Sequence, residues 1–485
     1  MSRNSVTSKV LKVMSIFTGV ESVGILCSII KNKLVALWLS AVGIGLFTIF
    51  NQVIDTTSYL TSLGLRQSSV RDIAQSRGDE SRLQRMIATV RLWSVLAGLA
   101  GALLLTALAR PLAEVILGDA GLWWNFVILG GVMLFNALYA GENSIFQGTE
   151  NYTRLARTGL ETALTGLAVS IPMYRWLGDD SVVYSILAYA LTGCAFAWFN
   201  RNRSFPYRLA AVSELRQGMG FVRLGACMSV AAFVNTLMQL IFVSWLNVRV
   251  STAEAGLYGA GITLVVRYTG LIFNSVGMEF YPRISANSES GRRVQAFVSH
   301  EVSLLLMIFT PLVLMLYLFL PLVIRLLYTG EFMVMEPMVA IGMLSVLFRC
   351  VSMVMSYTMV AKGRGVMYMV IESADASVGL VLCIILYRIW GLAGIGVALV
   401  VWHFIYMLVQ WIVYRKEFRL YLAKDTIRLL ISSTAVCGLA LVARRYLSDV
   451  VWMPLLMLTV VCYCCMFVRM LRKRGVIRKI RRERS

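Results

Sequence analysis

Two arginines stand in stretches too apolar to accommodate them without a reason. Arg267 lies near the middle of GLYGAGITLVVRYTGLIFNSVGMEF, residues 256–280, and Arg349 lies eleven residues into the apolar run that opens at Met338. A charged side chain at the centre of a membrane helix costs roughly 2.5 to 3.5 kcal/mol on insertion scales, so such residues face a bundle interior or a watery path and mark candidate sites of function. A guanidinium offers a planar fork of donors that matches phosphate or carboxylate oxygens. Two uses follow: capture of an anionic ligand, or permanent pairing with a carboxylate on a neighbouring helix.

The carboxylates in comparable surroundings are Asp55, Glu21 and the pair Glu372 and Asp375. The pair shares one helix face through its i, i+3 spacing, and carboxylates within apolar helices are where a coupling proton or sodium ion would act. Asn51, Gln52, Asn235, Gln239 and Asn274 are able either to bind ligand hydroxyls or to hydrogen-bond across helices. Arg223, near the end of another apolar run, suits an anionic headgroup or a snorkelling role. Apart from a coupling ion, H+ or Na+, no cofactor is implied: His300 and His403 are isolated, and all nine cysteines lie in apolar runs as small filler, including the CYCC at 462–465.

The elements that must position these residues follow from composition. Of 485 residues 58% are hydrophobic and 15% charged, with a mean hydropathy of +0.74, far from a soluble domain and typical of an all-α polytopic membrane protein. The net charge of +21 does not point to nucleic acid, because the Lys and Arg fall between hydrophobic runs rather than on an aromatic-studded face. Residues 10–30 read as a first span rather than a removable signal, since no small-residue cleavage site ends the run. Fourteen spans are expected, at 10–30, 42–65, 93–108, 123–141, 158–173, 182–199, 221–246, 257–280, 302–322, 338–360, 367–387, 392–413, 427–442 and 450–467.

With this count both termini lie on one side. Of the 46 Lys and Arg, 35 fall on the terminal side and 9 on the other, leaving Arg267 and Arg349 within the membrane. The positive-inside rule then makes both termini cytoplasmic. The basic tail, 469–485, suits anionic headgroups or serves as a topology anchor. No link is long enough to hold a soluble domain; the longest, 66–91 and 200–216, hold about 20 residues each.

An internal repeat organises the spans. GIGLFTIFNQVIDTTSYLTSLGLRQSSVRDIAQSRGDESR from Gly43 resembles GLYGAGITLVVRYTGLIFNSVGMEFYPRISANSESGRR from Gly256, and PLAEVIL from Pro111 is echoed by PLVIRLL from Pro321. Gly43 and Gly64, like Gly256 and Gly277, stand 21 residues apart, followed by Arg71 and Arg283. A displacement of six spans implies two six-helix lobes of equal orientation, related by a pseudo-two-fold along the membrane normal, with a central cleft. The expected organisation is an N-terminal lobe at 1–216 (spans one to six), a C-terminal lobe at 217–424 (spans seven to twelve), and spans thirteen and fourteen with the tail at 425–485. Asp55 and Arg267, twelve and eleven residues beyond their glycines, are then expected at similar heights, pairing when no ligand is present.

Fourteen spans, the repeated lobes, and the turns SLGLRQSSVRDIAQSRGDESR and VGMEFYPRISANSESGRR together resemble the bacterial polysaccharide flippases of the multidrug, oligosaccharidyl-lipid and polysaccharide exporter superfamily. The resemblance covers essentially the whole chain. It implies a transporter of the bacterial inner membrane that moves an undecaprenyl-diphosphate-linked oligosaccharide of the O-antigen or capsule type from the cytoplasmic to the periplasmic leaflet. It also implies a cationic central cavity, and Arg267 matches the span-eight arginine of related lipid-linked precursor flippases. Their span-one arginines have no equivalent, since the first span offers only Glu21. The implied partners are membrane lipids, the lipid-linked oligosaccharide, and a polysaccharide polymerase with glycosyltransferases, around a monomer.

Two other readings compete. A multidrug or cation exporter of the same superfamily would have about twelve spans and an anionic cavity. A membrane glycosyltransferase or polymerase would need a sizeable loop or catalytic constellation, and none stands out; the expectation is a non-enzyme.

Overall fold

In lipid every backbone N–H and C=O must be satisfied within the segment, which for long apolar runs leaves the helix. The computed structural model describes residues 23–62, 65–205, 208, 222–287, 289–446 and 449–473, and among them every regular element is helical. The helices are α1 (23–38), α2 (Ser40–Ser62), α3 (Leu65–Gln75), α4 (Glu80–Ala107), α5 (Trp123–Gly148), α6 (Tyr152–Trp176), α7 (Ser181–Phe199) and α8 (Val222–Arg249). They continue as α9 (Thr252–Ser285), α10 (Gly291–Leu327), α11 (Glu336–Gly342), α12 (Ser345–Ala361), α13 (Gly365–Lys416), α14 (Lys424–Tyr446) and α15 (Asp449–Lys473).

Eight described helices are each long and apolar enough to cross a membrane, and α11 with α12, bent by 52°, adds a ninth. The expected spans fall on these helices and on the shorter or more polar ones between them. Spans eleven and twelve are the two halves of α13, separated at Gly391, whose φ of 58° is open to glycine at little cost. The first expected span is described only from residue 23, and its helix continues to residue 38, beyond the boundary at Ile30. Lys33 is accommodated there because its ammonium donates to the carbonyl of Tyr328, while Lys31 lies 4.8 Å from the ring centre of Phe47. Ser40, at φ 55°, turns the chain into α2.

Helix ends follow local chemistry. Asp79 caps α4 by accepting from the Arg82 amide at 3.0 Å, and Asn151 caps α6 by accepting from the Arg154 amide at 3.4 Å. Between α4 and α5, a π-helical turn at Ala113–Leu117 ends on Gly118 in the left-handed region.

The chain forms two compact units. The first comprises Met1–Gly259, Leu327–Glu331 and Met369–Ala376; the second comprises Ala260–Leu326, Phe332–Tyr368 and Ser377–Ser485. In the first, α4 packs on α5, α5 on α7, α7 on α6, and α2 on α8. In the second, α9 packs on α12 and α12 on α14. The unit division falls two turns into α9, so the first unit holds all of residues 1–216 together with α8.

Candidate substrate-binding site on the repeat helices

The start of α9 belongs to the first unit and meets the start of α2 backbone to backbone. A Cβ at Gly256 would strike the Ala41 carbonyl, one at Gly45 the Thr252 carbonyl, and one at Gly259 the Thr48 side chain. Small residues at a helix crossing in lipid permit this approach, where dispersion between close backbones replaces the missing hydrophobic drive. The glycine that opens the second repeat is therefore a packing device. Farther along, a Cβ at Gly277 would meet the Tyr357 hydroxyl, so the closing glycine makes room for an aromatic of α12.

Midway, α9 departs from α-geometry. Thr263–Arg267 form a π-helical turn closed by the Tyr268 amide donating to the Thr263 carbonyl, five residues back. Arg267 sits about 23 Å along the helix at 1.5 Å per residue, in the middle of an apolar element of 34 residues. Such single π turns recur at functional sites because they re-aim side chains without ending the helix. The hydroxyl of the buried Thr269 donates to the Val265 carbonyl at 2.6 Å and lies 3.2 Å from that of Val266, supporting carbonyls of the widened turn. Leu264 and Val265 are buried in the second unit, whereas Arg267 is exposed. The neighbouring Tyr268 hydroxyl is buried with no hydrogen-bond partner among the described residues, a state that costs about 1–3 kcal/mol unless a ligand or water satisfies it.

Arg267 heads a stripe. Leu271, Asn274 and Met278 follow at the i+4, i+7 and i+11 positions of one helix face, and all are exposed. The expected amide Asn274 thus shares a face with the expected arginine. Arg349, on α12, is half-buried with its guanidinium carbon 5.2 Å from the ring centre of Phe273, six residues beyond Arg267. Phe273 is buried and stacks on Phe309 at 4.6 Å. Arg349 therefore lies against α9 through a cation–π contact, which at a half-buried site is worth about 1 kcal/mol.

The remaining expected residues distribute as follows. In the first unit Asp55 is exposed on α2, one place after the buried Ile54. Gln52 is buried and donates to the Thr236 carbonyl of α8 at 2.9 Å, so it ties helices together. Asn51 donates to the Phe47 carbonyl of its own helix at 2.6 Å. Asn235 and Gln239, half-buried on α8, bond to each other at 2.6 Å. Glu372 and Asp375 lie on the stretch of α13, Met369–Ala376, that groups with the first unit, and both are half-buried. Glu21 and the side chain of Arg223 lie outside the described residues, as does the tail from residue 474.

One charged pair was not expected. Arg91, only 3% exposed on α4, donates from Nε to Glu142 Oε1 on α5 at 2.6 Å and from Nη2 to Oε2 at 3.4 Å. The sequence carries the signal: the two positions are equidistant from the turn near residue 117, where two antiparallel helices must bring them level. Their placement at the rims of the apolar runs hid it. Among the described residues no group of His, Cys, Asp and Glu could hold a metal ion.

The family model for "Polysaccharide biosynthesis protein" matches residues 34–337. The chain belongs to that family. Its fold is that of the multidrug, oligosaccharidyl-lipid and polysaccharide exporter superfamily. The structure of the lipid II flippase MurJ in an inward closed conformation is similar at a TM-score of 0.71 and 12% identity, covering 95% of this chain and 99% of that one. An inward-facing multidrug resistance transporter of the MATE family gives 0.65 and 13%, covering 82% and 94%. A superfamily transporter from Pyrococcus furiosus, described by the reverse polarity of its binding pocket, gives 0.57 and 15%, covering 84% and 94%. No curated protein matches in sequence. This family member is thus a multi-pass helical membrane protein.

Proposed function

We propose that the protein flips an undecaprenyl-diphosphate-linked oligosaccharide from the cytoplasmic to the periplasmic leaflet of the bacterial inner membrane, by alternating access, with Arg267 binding the diphosphate. The observation that carries this reading is the exposed guanidinium at the π turn of α9, beside the unsatisfied Tyr268 hydroxyl. A lipid diphosphate brings about two negative charges to a low-dielectric region, where a fixed guanidinium supplies charge-assisted hydrogen bonds of about 1.5–3 kcal/mol each. Asn274 lies on the same face to meet sugar hydroxyls, and Arg349 adds positive potential behind the aromatic Phe273. Asp55 holds Arg267 when the cavity is empty and releases it to the diphosphate. The proton or sodium that powers transport binds Glu21 or the Glu372 and Asp375 pair. Arg223 meets the headgroup on entry, Asn235 and Gln239 contact the glycan, and a polymerase and glycosyltransferases act before and after the flip.

Family membership supports a role in polysaccharide biosynthesis, and the fold likeness supports transport rather than enzymatic turnover. A cation exporter would be ill served by an exposed mid-span arginine. The test is reconstitution with a labelled undecaprenyl-diphosphate oligosaccharide, following its leaflet exposure. Arg267→Ala should slow flipping about tenfold or more; equal rates would remove Arg267 from the mechanism. Export of a cationic dye without movement of the lipid would favour the multidrug reading.

A further inference from the structure

A strongly basic pocket lined by none of the repeat-helix residues lies in the first unit, at the start of α6 and the end of α7. It measures about 470 Å3 and is lined by Arg154, Arg157, Arg201, Arg203, Asn200 and Phe199 among others. Four guanidinium groups border it. Among the described residues the carboxylate bonded to this wall is Glu161, and it is already engaged by Arg157 at 2.7 Å and by the Asn200 amide at 2.6 Å. A surplus of positive charge remains.

Arg154 and Arg201 are held in place. Arg154 donates to the Asn200 carbonyl at 3.0 Å, the Asn200 amide also reaches the Thr158 hydroxyl at 3.2 Å, and Arg201 stacks on Trp198 with its guanidinium carbon 3.8 Å from the ring centre. Held donors lose less side-chain entropy on binding than free ones. Beside them Trp198 and Phe199 are 46% and 72% exposed, and Leu191 and Leu164 continue an exposed apolar surface along α7 and α6. An indole at a span end marks the headgroup level of a membrane. The pocket therefore offers anion-binding groups at the headgroup level and an apolar wall below.

The repeat supplies a control. Displaced by 213 residues, the start of α6 at Tyr152 becomes the start of α13 at Gly365, and there a second pocket of about 380 Å3 is lined by Lys362, Arg364, Glu289 and Phe418. In it Arg364 pairs with Glu417 at 3.1 Å and Lys362 lies over the Phe418 ring at 5.6 Å. The two lining cations are matched by Glu289 on the wall and by Glu417, the ion-pair partner of Arg364, beside it. The surplus in the first unit is thus no automatic result of basic loops, because the equivalent place in the second unit is balanced.

We propose that the pocket of α6 and α7 binds the phosphate of an anionic glycerophospholipid from the surrounding leaflet, with its acyl chains lying along α6 and α7. The phosphate takes its place among Arg154, Arg201 and Arg203, and Trp198 and Phe199 cover the glycerol and the first methylenes. This site is independent of the transport reading above.

Native mass spectrometry of the full chain, titrated with phosphatidylglycerol or phosphatidylcholine, tests it. Wild-type protein should retain phosphatidylglycerol in preference. Arg154→Gln with Arg201→Gln should lower that preference about thirty-fold, at the usual gain per basic residue near an anionic leaflet, while Lys362→Gln with Arg364→Gln leaves it intact. Arg203→Gln alters an exposed side chain and should lower it about five-fold even if the double variant fails to fold. Absence of preference in the wild type, or equal loss in both double variants, would overturn the proposal. So would displacement of phosphatidylglycerol by an equimolar amount of undecaprenyl diphosphate, which would assign the pocket to the cargo.

Discussion

Helices α2 and α9 occupy equivalent places in the repeat, and they agree and differ in instructive ways. At a displacement of 213 residues Gly43 matches Gly256, Thr56 matches Thr269, and Gly64 matches Gly277. Both threonines are buried and both donate to the carbonyl four residues back, at 2.7 and 2.6 Å. The charges do not repeat: Arg267 aligns with the buried Ile54, and Asp55 with Tyr268. The helix geometry differs as well, since α2 is regular and α9 widens at Thr263–Arg267. Residues present in both copies serve packing, which both copies need. The differences in charge and in helix geometry meet at one mid-span turn, where a cation emerges.

The same division separates the arginines, and breaking the packed kind should have the largest effect. Arg91 is enclosed with Glu142, whereas Arg267 is exposed. Glu142→Ala leaves a buried guanidinium without its partner and should destabilise the protein by about 3–5 kcal/mol, read as a large fall in the unfolding temperature in detergent. Pairing it with Arg91→Met should recover most of the loss, because two apolar side chains carry no charge to desolvate. If the double variant is no more stable than Glu142→Ala, the pair is not the cause.

A smaller loss should follow from Gly256→Val, which drives a branched side chain into the Ala41 carbonyl and forces α2 and α9 apart. Overpacking of this kind costs about 1–3 kcal/mol. The internal control is Gly270, where a Cβ would meet nothing within 4 Å; Gly270→Ala should be neutral or gain up to about 1 kcal/mol through its helix propensity. Similar melting temperatures for the two variants would contradict the packing role of the opening glycine.

The charges should respond in transport rather than stability. Arg267→Lys keeps the charge and loses the fork, and its flipping rate is expected to fall between those of wild type and Arg267→Ala. Asp55→Asn should tighten binding of the lipid diphosphate while slowing its release, if Asp55 competes for the guanidinium. Unchanged binding and unchanged flipping in Asp55→Asn would end the idea that the two residues alternate.

Much of this arrangement is visible in the sequence because lipid leaves few alternatives. Apolar runs had to become helices, and the 21-residue spacing of glycines announced the repeat. Gly391, between two such runs, stands where the chain leaves helical geometry. Arg267 stood out because charge in an apolar run is costly. The π turn left no such mark: Thr263, Leu264, Val265 and Val266 fit an α-helix as well as a wider one, and only the hydrogen bonding of Tyr268 to Thr263 distinguishes them. Arg91 and Glu142 were hidden because each borders a polar stretch, and the pairing depends on two helices lying antiparallel. Amides proved the least legible. Gln52 bonds across to α8 whereas Gln239 bonds within its helix, a choice made by packing that local sequence does not record.

The finest distinction between the two helices lies in the matched threonines. In α2 the Thr56 hydroxyl bonds a carbonyl of regular helix, at Gln52. In α9 the Thr269 hydroxyl reaches two carbonyls of the widened turn, Val265 and Val266. Replacing either hydroxyl by a methyl removes a bond worth about 0.5–1.5 kcal/mol. In α2 the backbone ladder remains intact, so Thr56→Val should shift stability by no more than this and leave flipping unchanged. In α9 the hydroxyl supports the geometry that brings Arg267 out, so Thr269→Val should reduce flipping several-fold at a comparable loss of stability. Equal transport by the two variants would mean that the π turn holds its shape without Thr269, and that the presentation of Arg267 rests on the packing of Leu264 and Val265 alone.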